Sequence, residues 1–274
     1  MSHHTAVGTY HRHHEHDEPI DVKSKKIVLA GNPNVGKSVF FNYLSGLYVD
    51  VSNYPGTTID ITEGRFGQHR VYDIPGIYGV SSFNDEERVA RDIILDADVI
   101  LNIVDAVHLE RDLFLTLQLI DMGFPVIVAL NFMDEVKKEG VTIDVEKLSE
   151  LLGVAVIPTS AVKKQGLDQI AAQIEHARQG RQDEKLHGQL HELLKMVGSQ
   201  PEALMIREGD AYVAQRHGVQ PEDKREETYI QRRLRANNVI QQVVRHEDRS
   251  TFREWLGKIS IHPLSGIPIV IGVL

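Results

Sequence analysis

The chain contains no cysteine. That excludes disulfide frameworks, thiolate metal sites and cysteine nucleophiles, and it agrees with a reducing cytosol. A basic excess is missing too: 30 Lys and Arg stand against 39 Asp and Glu, a formal net charge of −9. Neutralising the phosphates of a nucleic acid needs a basic face, so nucleic acid is excluded as a general electrostatic partner. The amino terminus lacks the apolar core of a cleavable signal, and no apolar run reaches the roughly 20 residues of a bilayer span. What remains is 274 residues, 42% hydrophobic and 25% charged, enough for one full-sized globular domain and a smaller one.

Both ends are unusual. His3, His4, His11, His13, His14 and His16 crowd a polar stretch that closes on Glu15, Asp17 and Glu18. Imidazoles with auxiliary carboxylates capture transition metals, but a metal site needs held geometry and nothing in this segment supplies it. Residues 1–23 are therefore expected to be a disordered tail, or a partly engineered one. At the other end, 259–274 reads ISIHPLSGIPIVIGVL. It is either a buried core segment or the start of a membrane-entering segment. The second reading is expected, because the run carries neither caps nor charge.

Between the ends, strand and helix signals alternate. Lys26–Ala30 is a β-branched run ending in glycine, and a helix is expected over 37–44. Residues 61–66 and 70–73 form a hairpin around Gly67-Gln68. Continuous apolar runs at 99–105, 126–131 and 154–158 suit parallel strands covered on both faces. Helices are expected over 85–95, 110–122, 144–152 and 167–178. This alternation predicts an α/β class, a doubly wound sheet over about residues 24–180. Past Arg178 the β-like runs cease. A small all-helical domain is expected over 181–258, with breaks at Gly198–Pro201 and Gly218–Pro221. Within it, Ile230, Leu234, Val239 and Val243 form an apolar stripe read as core packing.

The chemistry lies in four ordered motifs. Residues 31–38 read GNPNVGKS. Gly31 and Gly36 permit backbone angles and close approach that a side chain forbids. The backbone of Gly31, Asn32, Asn34, Val35, Gly36, Lys37 and Ser38 then cradles phosphates at the positive end of a helix. Lys37 reaches the β- and γ-phosphates, and the Ser38 hydroxyl binds Mg²⁺. Asp73-Ile-Pro-Gly76 follows the hairpin: the Asp73 carboxylate holds Mg²⁺ through water, and the Gly76 N–H senses the γ-phosphate. Residues 53–58 read NYPGTT, polar and turn-rich as a switch requires. Thr58 is the favoured second Mg²⁺ hydroxyl and Thr57 the runner-up, because sequence does not set the register. Asn131-Phe-Met-Asp134 ends a strand where open α/β sheets bind ligands. The Asp134 carboxylate can accept from guanine N1–H and the exocyclic amine, which adenine cannot match. Ser160 and Ala161 support the base and orient Asp134. The position after Gly76, where Ras-type switches carry a water-orienting Gln, is Ile77. Hydrolysis must be slow or use another group.

With GNPNVGKS, YPGTT, DIPGIYG, NDEERVARD and NFMDE in this order, the chain resembles the amino-terminal cytosolic part of the ferrous iron transport protein B (FeoB) family over residues 24–274. The resemblance implies a Ras-like P-loop GTPase domain that binds GTP and GDP. It also implies a helical domain that inhibits nucleotide dissociation, and then a polytopic membrane domain carrying Fe²⁺. It implies potassium activation, with Asn34 as the K⁺ ligand, so that K⁺ and switch carbonyls supply charge stabilisation usually given by an arginine finger. Asn34, Lys37, Thr58 and Gly76 form the implied catalytic set. The implied partner is the transmembrane iron-permease domain of the same full-length chain, at the cytoplasmic face of the bacterial inner (plasma) membrane. Self-association stays open. The His-rich leader is not part of the common motif, and the SAVKKQG segment at 160–166 is variable in the family. The rival reading is a soluble ribosome- or tRNA-associated GTPase, which usually carries a basic appendage; a scaffold that binds nucleotide without turnover is the third.

Overall fold

The computed structural model describes residues 24–46, 49–53, 59–81 and 85–246. Its central sheet has the order β2 (Val49–Asn53), β3 (Asp60–Phe66), β4 (His69–Asp73), β1 (Lys26–Ala30), β5 (Val99–Asp105), β6 (Pro125–Asn131) and β8 (Ala155–Pro158). Strands β4, β1, β5, β6 and β8 run parallel, and β2–β3–β4 form an antiparallel meander at one edge. Strands β1, β5 and β6 are apolar on both faces because both are covered, whereas β4, beside the meander, carries His69, Arg70 and Asp73. On β1, Ile27 and Leu29 point into one core layer and Val28 and Ala30 into the other. The first layer is closed by Phe40, Phe41 and Leu44 of α1 (Lys37–Ser45) and by Leu167 and Ile170 of α6 (Leu167–Gln173). The second takes α2 (Asp85–Leu95), α3 (Leu109–Asp121) and α5 (Val145–Leu152).

Local chemistry sets the helix ends. Asp144 caps α5 by accepting from the Lys147 N–H at 3.0 Å, and Gly153 ends it at φ 73°. The expected hairpin is present, with Gly67 at φ 58° in its turn. Helix α6 stops earlier than expected: a 3₁₀ turn follows at Ile174–His176, and Arg178–Gln179 forms β9, paired to β6.

Beyond β9 come α7 (Glu184–Gln189), α8 (His191–Val197), α9 (Gln200–Arg207), α10 (Ala211–Arg216) and α11 (Arg225–Val243). Gly198 and Gly218, at φ 73° and 65°, fall at the two expected breaks. These helices have no separate core: Leu186, Leu190, Leu204, Ile206, Val213 and Val239 belong to the same buried layer as Val28, Leu113 and Leu148. The expectation that β structure ends at Arg178 is corrected at both β9 and β10 (Val244–His246). The latter pairs antiparallel with β7 (Val141–Ile143). Both strands of that pair are three residues long, too short to show a period, and exist through their mutual hydrogen bonds.

The apolar stripe on α11 is also corrected. Val239 and Val243 are buried, but Ile230 and Leu234 are 53% and 58% exposed. The inward face is carried by Thr228, Arg232 and Ala236 instead. Arg232 is accommodated because Nη2 donates to Glu208 at 2.7 Å, with Asp121 at 3.8 Å, while its guanidinium lies 5.1 Å over the Phe114 ring. Glu208 is fully buried and also receives Gln118 Nε2 at 2.8 Å and the Ser81 hydroxyl. Removing one partner of such a pair strands the other charge. Arg232→Ala is therefore expected to cost about 3–5 kcal/mol in urea unfolding, whereas Lys185→Ala, at an exposed position, should stay within about 0.5 kcal/mol.

Candidate functional site

The chain leaves β1 towards β4 on one side and returns to β5 on the other, so the C-terminal end of β1 is the switch point of the sheet. Residues 31–36 sit there and lead directly into α1. Asn34 (φ 65°) and Gly36 (φ 93°) are left-handed, which turns successive N–H groups inward. The N-terminus of α1 has no side-chain cap and no acid in its first turn, so its N–H groups stay open to an anion. Glycine is obligatory at two points. A Cβ on Gly31 would lie 2.4 Å from the Ile103 carbonyl oxygen, and one on Gly36 would lie 2.9 Å from Asn131 Nδ2.

Lys37, Ser38 and Asp73 converge at the mouth of this cradle. The Ser38 hydroxyl donates to Asp73 Oδ2 at 3.2 Å, while Asp73 Oδ1 is buried without a partner. Burial pushes the Asp73 carboxyl above its usual range, opposed by Lys37 and the Ser38 bond. Burial likewise pulls the Lys37 ammonium down, opposed by Asp73. Both charges are thus held partly desolvated, which costs free energy unless a ligand completes their partners. Gly76 lies against the loop: a Cβ there would stand 2.7 Å from Pro33 Cα. Next to it, the Ile77 N–H donates to the Gly31 carbonyl at 3.1 Å, and the Ile77 side chain is buried in the apolar layer. That side chain neither reaches into the cradle nor can bond water.

The far end of the site is built on β6 and β8. Asn131 Nδ2 donates to the Val35 carbonyl at 3.0 Å, and its Oδ1 accepts from the Ala161 N–H at 3.0 Å. Phe132, left-handed at φ 63°, turns the chain into α4 (Met133–Lys138), which carries Asp134 in its first turn. Lys163 Nζ stands 3.0 Å from Asp134 Oδ2. Lys163, then Ser160, hold the Asp134 carboxyl below its usual range. Ser160 and Gln165 exchange backbone hydrogen bonds of 3.2 and 3.1 Å, closing the 160–166 loop behind the acid.

Of the residues expected from sequence, Gly31, Asn34, Val35, Gly36, Lys37, Ser38, Asp73 and Gly76 meet at one end, and Asn131, Asp134, Ser160 and Ala161 at the other. Thr57 and Thr58 lie outside the described residues, as do the His-rich leader and the 259–274 run. Asn32 stands in the loop between Gly31 and Pro33. Its side chain turns away from the cradle and donates to Asp112 Oδ1 of α3 at 2.6 Å. Asp112, only 2% exposed, also accepts from the Asp105 N–H at 2.9 Å and from Arg111 Nε at 2.7 Å. Asp112 and Lys163 escaped the sequence reading: each works through a partner remote in sequence and belongs to no short motif.

A sheet with this order, a phosphate loop at its switch point and an Asp-bearing turn after β6 define a Ras-like P-loop GTPase fold. A family model described as "Ferrous iron transport protein B" matches residues 25–174, and the chain belongs to that family. The Fe(2+) transporter FeoB of Legionella pneumophila (strain Paris) is 41% identical over 162 residues, 56% of this chain and 22% of that protein. The Fe(2+) transport protein A/Fe(2+) transporter FeoB fusion protein of Porphyromonas gingivalis is 40% identical over 163 residues, 57% of this chain and 19% of that protein. The match thus spans about a fifth of the length of these curated relatives. Among solved structures, a GDP-bound point mutant of S. thermophilus NFeoB superposes with a TM-score of 0.70 at 33% identity, covering 81% of this chain and 100% of that one. The cytosolic domain of L. pneumophila FeoB gives 0.71 at 29% identity, covering 80% and 99%. No helix among the described residues is long and apolar enough to cross a membrane.

The orphaned acid gives a test without nucleotide. A carboxyl raised in the folded state binds its proton more tightly there than in the unfolded chain. Its ionisation therefore opposes folding fully above the folded pKa and not at all below the unfolded one. Asp73→Asn should raise the melting temperature of the nucleotide-free protein at neutral pH, and that gain should vanish as the pH falls through the carboxylate range.

Proposed function

We propose that this chain is the GTP-binding and GTP-hydrolysing regulatory part of a ferrous iron transporter. The observation that carries the reading is the buried, unpartnered Asp73 Oδ1 beside Ser38 and Lys37, at the uncapped start of α1. A structural turn has no use for two partly desolvated charges beside an open hydroxyl; a phosphate with its cation does. The same donor set suits Mg²⁺, a hard cation that takes hydroxyl and carboxylate oxygens and keeps several waters. Ser38, Asp73 and Thr58, with Thr57 as the alternative to Thr58, would hold it. Asn34, exposed and left-handed at the rim of the loop, would hold K⁺. When bound, the two cations offset negative charge that develops on the phosphate oxygens.

The chain's own groups supply binding and orientation. The loop N–H groups and Lys37 hold the β- and γ-phosphates, and the Gly76 N–H reads the presence of the γ-phosphate from its place against Pro33. Asp134, held in its ionised form by Lys163 and Ser160, accepts from guanine N1–H and the amino group. Lys163 must share or yield that carboxylate when the base enters. Ile77 leaves the attacking water without a side-chain orienter, so backbone groups and K⁺ take that part. The GDP bound by the S. thermophilus relative supports this assignment of the site.

Residues 24–180 are read as the nucleotide-binding part and 181–258 as the helical part that slows release. Residues 259–274 are read as the approach to a permease domain of the same full-length chain. The module would then work at the cytoplasmic face of the inner membrane. Family membership favours this reading over a ribosome- or tRNA-associated GTPase. GTP hydrolysis measured in KCl and in NaCl tests it: turnover should rise in KCl, and Asn34→Ala should abolish that rise with little loss of nucleotide affinity. Equal turnover in both salts would remove K⁺ from the mechanism, and no turnover in either would leave a binding scaffold. Asp134→Asn should weaken GTP binding by about 100-fold and gain xanthosine triphosphate binding; unchanged GTP affinity would end the base-recognition role.

A further inference from the structure

A cavity of about 640 Å³ opens between the segment after Gly76, the start of α3 and the middle of α11. Its volume is that of a small-molecule site, and it shares no lining residue with the nucleotide site described above. Phe114 and Tyr229, which line it, meet edge to face at 5.0 Å, and Tyr78, 57% exposed, lines it as well. Arg233 is exposed and has no ion pair among the described residues, and Arg111, bound to Asp112 through Nε, has its Nη2 3.8 Å from Asp105, a long contact that an anion can compete for. Asn237 also lines the cavity, and its Oδ1 is buried without a hydrogen-bond partner. Glu87 and Glu110 share the lining, which limits an occupant to little negative charge.

These features match one ligand chemistry. The aromatic walls take a planar ring system, the two arginines take one anionic group, and Asn237 Oδ1 takes one N–H or O–H donor. The cavity also leads to the phosphate loop in two steps. Arg111 Nε and Asn32 Nδ2 donate to the same oxygen, Asp112 Oδ1, at 2.7 and 2.6 Å. An anion that draws Arg111 outward leaves a buried carboxylate short of its counter-charge, and a buried carboxylate so stripped takes up a proton or shifts its partners. Asn32, whose Oδ1 is buried without a hydrogen-bond partner, is the other side chain on that oxygen.

We propose that this cavity is an effector site for a small aromatic monoanion bearing a hydrogen-bond donor, and that occupancy is read at the phosphate loop through Arg111, Asp112 and Asn32. The second half rests on the nucleotide reading above; the first does not. The test uses the full chain and 1-anilinonaphthalene-8-sulfonate, which carries one sulfonate, aromatic rings and an N–H donor. Fluorescence titration should show saturable binding that weakens about five-fold or more in Arg233→Glu, a rim charge reversal. Arg245→Glu, on an exposed residue of β10, should leave it unchanged. Saturating probe should speed release of a fluorescent GDP at least about three-fold, a shift of the size of ordinary site–site coupling. Arg111→Met should remove that response. Equal probe affinity in wild type and Arg233→Glu would overturn the cavity assignment. Probe binding lost in Arg233→Glu with GDP release unaltered in wild type would overturn the relay. Probe binding in a chain that takes up no GDP would overturn the nucleotide reading and leave the cavity standing.

Discussion

The carboxamide of Asn131 joins the two halves of the site, and much else follows from where it stands. Its nitrogen reaches back to the carbonyl of Val35 inside the phosphate loop, and its oxygen receives the N–H of Ala161 beside the base-recognising acid. Both bonds are buried, so neither is exchanged for water without cost. The distance between phosphate cradle and acid is thereby set by one rigid, planar group at the end of a central strand. Gly36 must be glycine because that same nitrogen occupies the space a Cβ would need. A ligand spanning the site meets a preset ruler instead of two loops that have to find each other, which is how preorganisation lowers the cost of binding.

The doubly wound sheet was legible because β1, β5, β6 and β8 carry continuous apolar runs and the hairpin leading to β4 carries its own turn chemistry. Residues 85–95 were read as a helix and are one, residue for residue, and the strand at 99–105 matches as well. The phosphate loop, Asp73-Gly76 and Asn131-Asp134 were legible because their functions depend on short fixed spacings. What was not legible shares one physical cause. Strands β7 and β10 are too short to show a period, and their pairing partner lies about a hundred residues away. On α11 a guanidinium takes a core position that the apolar pattern assigns to carbon, since hydropathy cannot register that Glu208 and Asp121 wait for it. The bond from the Asn32 side chain to Asp112 was not legible, because nothing local reveals a carboxylate 80 residues away.

Buried charge recurs in the contact between the sheet and the helices that follow it. Gln118 Oε1 accepts from the Val80 N–H at 2.8 Å, and its nitrogen donates to Glu208, which also holds the Ser81 hydroxyl and Arg232. Val80 and Ser81 therefore take their positions from residues of α3, α9's end and α11, a few residues downstream of the glycine that touches Pro33. Directional bonds of this kind favour a small number of discrete arrangements over gradual deformation. Movement of that segment must be accompanied by rearrangement around Glu208.

The apolar layer on one face of the sheet runs without interruption into α8, α9 and α11. A chain cut near residue 180 would present the outer faces of α3 and α5 to water, together with an Asp121 carboxylate deprived of Arg232 and of Arg235, whose Nη1 donates to it at 2.7 Å. The helical segment is accordingly not a portable cassette. Transplanting it onto another GTPase fold would require rewriting one side of the recipient's sheet layer, and replacing it here would demand a substitute that supplies both oil and cations at matching places.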